Sequence, residues 1–237
     1  MMGKFFINLA LVCFCNASAF AQQAPQKQIL QKQTPQQDVP VPTPEAPKLE
    51  IPDTPIADNF SGKPKGGKDL TVRSEEGRAK MLEQLFRNLS QSVTEEDAKL
   101  IAEEIWAVFL QSGSATVDFI LLRGITAEKN GDLVLARRMY DHVLRLAPDY
   151  AEGWSRSGRL AFNQRDFNRA TSDITHALTI EPRHFYALWT LANILETLAH
   201  TDQALEVYIE AEKIYPLHPK IKARVKKLKE SVIGKAL

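Results

Sequence analysis

Three prolines set the frame of this chain. Pro148, Pro182 and Pro216 stand 34 residues apart, and no other proline falls between Lys65 and Leu217. Proline cannot continue a helix and holds the residue before it extended, so a strict proline period cuts the chain into units of equal length. The residues ahead of each proline repeat with it. Twelve ahead lies an alanine (Ala136, Ala170, Ala204), and twenty-four ahead a small residue (Gly124, Gly158, Ala192). Eight ahead comes Tyr140, Ile174 or Tyr208, five ahead Val143, Ala177 or Ala211, and two ahead Leu146, Ile180 or Ile214. Each unit reads as two antiparallel helices, A and B, crossing where small side chains let the backbones approach. The turn between A and B falls at Asn130-Gly131-Asp132 in the first unit, at Arg165-Asp166 in the second and at His200-Thr201-Asp202 in the third.

Residues 117–218 resemble the tetratricopeptide repeat family. The match is closest in the middle unit, where Trp154, Gly158, Ala170, Ala177 and Pro182 coincide with the family pattern. Arg123 and Ser157 stand where that pattern has a leucine, and Glu212 where it has an apolar residue. The resemblance implies an all-α helical solenoid with repeats at 117–150, 151–184 and 185–218, and a binding module without a reaction of its own. It also implies a concave groove lined by the A helices. In this register the groove positions are Asp118, Leu121, Ile125, Glu128 and Lys129, then Glu152, Ser155, Arg159, Phe162 and Asn163, then Tyr186, Trp189, Asn193, Glu196 and Thr197. From these, Arg159, Phe162, Tyr186, Trp189 and Asn193 are the expected partner-binding residues. Leu188 fills the core position beside Trp189, so the indole is expected to be at least partly exposed, where tryptophan makes a strong anchor. The alternative is that it packs on the A helix that follows. Leu121 and Ile125 replace the first residues of the clamp by which some family members hold a C-terminal carboxylate.

The flanks differ in kind. Residues 1–21 read as a cleaved signal peptide, with Lys4, an apolar run from Phe5 to Cys15 and the Ala19-Phe20-Ala21 cleavage pattern. That run is too short to span a bilayer. Both cysteines, Cys13 and Cys15, fall within it, so the mature chain from Gln22 has no thiol for disulfides, catalysis or zinc. A periplasmic location is expected. Residues 22–73 hold most of the 13 prolines and read as a disordered Pro/Gln-rich linker. Residues 74–112 read as an N-terminal helical pair, a degenerate repeat or cap. Ser74 caps the first helix, Met81, Leu82, Leu85, Phe86 and Leu89 form its apolar stripe, and Thr94 with Asp97 form a capping box for the second. One period back from the first repeat, Ala102 and Trp106 take the alanine and aromatic positions. Residues 219–237 read as a C-terminal capping helix, with Ile221, Val225, Leu228 and Val232 inward and Lys220, Lys222, Arg224, Lys226, Lys227 and Lys229 on the remaining faces.

Nothing points to an enzyme, and no cofactor or metal is expected. His142 and His176, like His184 and His218, are spaced by the repeat itself rather than by a ligand motif. The expected partner is a protein or peptide of the cell envelope, not nucleic acid, and membrane contact is not expected. A second reading makes the chain a structural or anchored subunit of an envelope assembly that touches its partner through the convex face or the basic C-terminal helix. Arg123 is expected to pair with Glu103 or Glu104, joining the helical pair to the array.

Overall fold

A computed structural model describes residues 75–235, with side chains to residue 231. The expected signal peptide at 1–21, the linker at 22–73, the Ser74 cap and the Val232 side chain lie outside the described residues. Among the described residues the regular structure is helical throughout: α1 (Glu75–Ser90), α2 (Glu95–Phe109), α3 (Ala115–Lys129), α4 (Leu133–Leu146), α5 (Ala151–Asn163), α6 (Phe167–Ile180), α7 (Phe185–Thr197), α8 (Thr201–Ile214) and α9 (Pro219–Lys235). The chain is an all-α helical-repeat solenoid. Helices α3–α4, α5–α6 and α7–α8 are the three A–B pairs, and each B helix packs on the next A helix. Helix α9 takes the place of a fourth A helix on α8, burying Ile221, Val225 and Leu228.

The small residues sit where the helices cross. A Cβ built on Gly124 would lie 2.6 Å from Cε1 of Tyr140, and one on Gly158 would lie 2.7 Å from Cγ1 of Ile174. No side chain fits either place. Ala136, Ala170 and Ala204 are fully buried, as are Val143, Ala177 and Ala211. The apolar residue two ahead of each proline behaves differently. Leu146 and Ile180 face solvent, whereas Ile214 packs with α1 and α2.

The A–B turns repeat one backbone demand. Gly131 (φ 80°), Arg165 (φ 62°) and Ala199 (φ 62°) each adopt the left-handed conformation. Asp132 and Asp166 then cap α4 and α6, accepting from the backbone N–H of Leu135 and Arg169. In the third turn the left-handed residue is Ala199, ahead of the expected His200-Thr201-Asp202. His200 is the N-cap residue there and makes no side-chain capping bond. The turns between repeats also follow the period. His184 Nδ1 accepts from the Ala187 N–H (3.2 Å) and His218 Nδ1 from the Ile221 N–H (3.3 Å), so both histidines are helix N-caps.

Helices α1 and α2 pack on each other but do not extend the array. The period would start them at residues 81 and 99, and they start at Glu75 and Glu95. Thr94 Oγ1 accepts from the Asp97 N–H (3.1 Å), so the second helix is capped as its sequence suggests. The pair then turns across the N-terminal ends of α5 and α7. Its apolar stripe, from Leu82 to Phe109, forms one cluster with Phe185 and Tyr215. Helix α1 reaches as far as α8. The outer flank of α3, where a preceding B helix would lie, is left open: Phe119 is 64% exposed. Arg123 on that flank is exposed and makes no ion pair among the described residues, contrary to the expected bond to Glu103 or Glu104. The reason is the displaced position of α2, which does not run alongside α3.

Candidate partner-binding face

Helix α5, the A helix of the middle repeat, buries charge. Glu152, Arg156 and Arg159 are all nearly inaccessible, as is Ser155. Buried ions must be compensated in place, and Glu152 shows how. Its Oε1 accepts from Arg156 Nε (2.6 Å) and from Trp106 Nε1 (3.3 Å), and its Oε2 accepts from His184 Nε2 (2.9 Å). Because His184 Nδ1 accepts the cap bond, the ring carries its proton on Nε2 and donates it to Glu152. Burial would raise the Glu152 carboxyl, but Arg156 and His184 beside it hold it well below the usual carboxylate range.

Helices α1 and α2 are seated on this charged centre. The Arg156 guanidinium lies 5.3 Å from the centroid of the Trp106 ring. Phe109 stacks on His184, with centroids 4.5 Å apart and planes 18° from parallel. Tyr150, at the N-terminus of α5, donates from its hydroxyl to the Phe109 carbonyl (2.9 Å). Arg183 pairs with Glu83 (2.9 Å) and lies over the Phe86 ring, 4.4 Å from its centroid. Among the described residues, Arg156 Nη1 is buried with no hydrogen-bond partner, as are Arg159 Nε on the same helix and Arg78 Nε on α1.

The five expected contact residues do not form one open surface. Trp189 is the main correction, for it is buried at 8% exposure. It packs edge-on to Tyr208 (centroids 5.3 Å), near His218 (5.9 Å), in a cluster with Ile221, Val225 and Leu228 of α9. The capping helix lies where a fourth A helix would, so it covers the indole; this is the alternative reading. Trp189 Nε1 finds no acceptor there. Phe162 is also buried, packed with Phe167 and the inner side of α7. Arg159 straps α5 to α3: its Nη2 and the Tyr140 hydroxyl both donate to Glu128 Oε2, at 2.8 and 2.7 Å. Asn193 donates from Nδ2 back to the Trp189 carbonyl (2.6 Å). Tyr186, half-buried beside Phe185, is covered by α1 and α2.

Sequence reasoning passed over Arg156 and read His184 and Trp106 only as positions of the repeat. A signal was present. Arg156 stands in register with Leu122 and Thr190, so a lone cation interrupts that row four residues after Glu152. One departure from the family pattern, Ser157, belongs to a separate knot between repeats. It accepts from Arg137 Nη1 (2.8 Å) and donates to Asp173 Oδ2 (2.6 Å), and Arg169 bridges Asp173 (3.3 Å) and Asp141.

Among curated proteins, a TPR repeat-containing protein of Rhizobium etli is 34% identical over 153 residues, which are 65% of this chain and 75% of that protein. No family model matches the chain. Solved structures with a similar course include the Arabidopsis OM64 TPR domain (19% identity, TM-score 0.46, covering 48% of this chain and 95% of that one). The TPR2B domain of yeast Sti1, solved as a complex with pHsp70, has 19% identity and a TM-score of 0.46 over 50% of this chain and 99% of that one.

Proposed function

The chain belongs to the tetratricopeptide-repeat family, and from that premise we propose that it is an exported, non-enzymatic interaction scaffold of the periplasm whose concave face binds a peptide segment or helix of an envelope protein. One observation carries this reading. The N-terminal half of the face, around Glu152, Arg156 and Tyr186, already holds an amphipathic helix, the chain's own α2. A surface that seats one such helix has the shape and polarity for another. Tyr186 is then the direct contact, Arg159 and Asn193 border it, and Phe162 and Trp189 support the face from beneath. The Ala19-Phe20-Ala21 pattern and the proline-rich residues 22–73 support the exported, tethered part of the proposal.

The test is site-specific photocrosslinking in a bacterial host. A benzophenone side chain in place of Tyr186 is expected to give one adduct of defined mass with an envelope protein, and one in place of Lys227 on α9 to give none. Adducts from position 227 alone would move the contact to the basic C-terminal helix, where Lys222, Lys226, Lys227 and Lys229 are exposed. N-terminal sequencing of the periplasmic form is expected to begin at Gln22.

A further inference from the structure

Resting on that reading, we propose that the face formed by α5 and α7 takes a partner's amphipathic helix bearing an aromatic pair three residues apart, and that α2 holds this seat in the free chain as an internal stand-in. Trp106 and Phe109 are that pair, and the array reads them individually. Glu152 accepts the indole N–H, Arg156 lies against the indole ring, and His184 stacks on the phenyl ring. Elsewhere α5 packs on α4 and α6 of the array itself; here its cover is a segment outside the repeat register.

Three features make the cover replaceable. It is attached through residues 110–114, where Gly113 has φ 87° and the bend is tied by Ser112 donating to Asp118 (2.6 Å). It leaves the flank of α3 open, with Phe119 exposed, so the array does not depend on it as a regular preceding repeat. It also satisfies the seat incompletely, since Arg156 Nη1 stays buried without an acceptor beside the Trp106 ring. A partner helix with a carboxylate or amide oxygen next to its tryptophan would fill that gap, which α2 does not. The partner is thus an acidic-to-neutral helix with a Trp-x-x-Phe pattern, competing with α2 for one seat.

The probe is a labelled synthetic peptide of residues 93–112, followed by fluorescence polarisation on the full chain. An occupied seat lowers apparent affinity by the fraction of time it is free. The Trp106→Ala chain is therefore expected to bind the peptide at least about tenfold more tightly than wild type. A peptide carrying Trp106→Ala and Phe109→Ala is expected to bind neither chain. Arg183→Ala, which removes the Glu83 and Phe86 contacts at the rim together with the local Glu181 pair, is the second variant and is expected to show the same direction with a smaller change. If both variants keep the array protection of wild type and neither takes up the peptide, the proposal falls. A wild-type dimer that dissociates on Trp106→Ala would overturn it too, by assigning the seat to a second copy. Failure here leaves a Tyr186 crosslink standing, whereas crosslinks from position 227 alone would remove the underlying reading.

Discussion

The seams within repeats, where helix B crosses helix A, and the seat of the N-terminal pair both cover an A helix, and they do it with opposite materials. At the seams, an absent side chain on one helix receives a large one from the next, as Gly124 receives Tyr140 and Gly158 receives Ile174. Such seams are apolar and specified by shape. At the seat, ions and rings meet: Glu152, Arg156 and His184 hold Trp106 and Phe109. Shape-specified seams tolerate no insertion and serve permanence. A seat built from a buried ionic network depends on each member, and it can accept a different occupant with the same groups.

The largest expected effect comes from attacking a seam. Ala170 is fully buried at the crossing of α5 and α6, so Ala170→Glu places an unpaired charge where there is no room. Loss of about 4 kcal/mol is expected, which lowers the melting temperature by about 10 °C. Because repeats stabilise their neighbours, hydrogen-exchange protection should drop from α3 to α8 together. A melting temperature within about 2 °C of wild type would contradict this account of the seam.

At the seat, Trp106→Ala removes a side chain that is 5% exposed, at a local cost of about 3 kcal/mol. The contrast predicts where the loss is felt. Amides of α1 and α2 should exchange freely, while those of α4 to α8 keep their protection. If protection is lost along the whole array, the pair is part of the core and the distinction between seam and seat disappears.

This difference also governs what could be read in the sequence. Steric demands recur with the repeat, so Gly158, Ala170 and Ile174 announced both the helices and their crossings. The seat has no period, because it is made once, by a pair that starts out of register. One lone cation, Arg156, and one i, i+4 partner, Glu152, were its trace. Trp189 shows the same limit from the other end. Its exposure was judged from Leu188 filling the neighbouring core position, but the capping helix α9, itself read in the sequence, closes over it. Arg123 was assigned a partner on the premise that α2 lies along α3, and that premise failed.

The two capping histidines sharpen the comparison by pH. His184 lies under the pair and donates to Glu152, whereas His218 lies in the array beside Trp189 and Tyr215. Burial pushes the His218 imidazole down to about 4 from its ordinary 6.5. Below 6.5 the unfolded chain takes up a proton that the folded chain refuses, so stability falls as pH drops from 6.5 towards 4. Between pH 7 and pH 5 this is worth about 2 kcal/mol. Glu152, held low, adds its own loss only below the ordinary carboxylate range. Urea melts of His218→Asn, which keeps a capping side chain, should lose most of the slope between pH 7 and 5. A slope unchanged in that variant would place its source elsewhere.

The smallest effect tests the seams where their own period is poorly served. All three A–B turns require a left-handed residue, and only the first supplies glycine; the third supplies Ala199 at φ 62°, followed by a His200 that makes no capping bond. A Cβ in that conformation costs roughly 1–2 kcal/mol, offset in part by the extra freedom glycine gives the unfolded chain. Ala199→Gly is therefore expected to stabilise the protein by about 0.5–1 kcal/mol. Gly131→Ala should do the reverse by a similar amount, although an added Cβ there meets nothing within 4 Å. Space is free at that turn, so the cost would come from the backbone alone. Paired thermal melts decide it. Opposite shifts of similar size would mean that the period transmits a backbone requirement even where the residue does not meet it, and two unchanged melts would show that these turns relax at no cost, leaving the helix crossings as the sole steric content of the repeat.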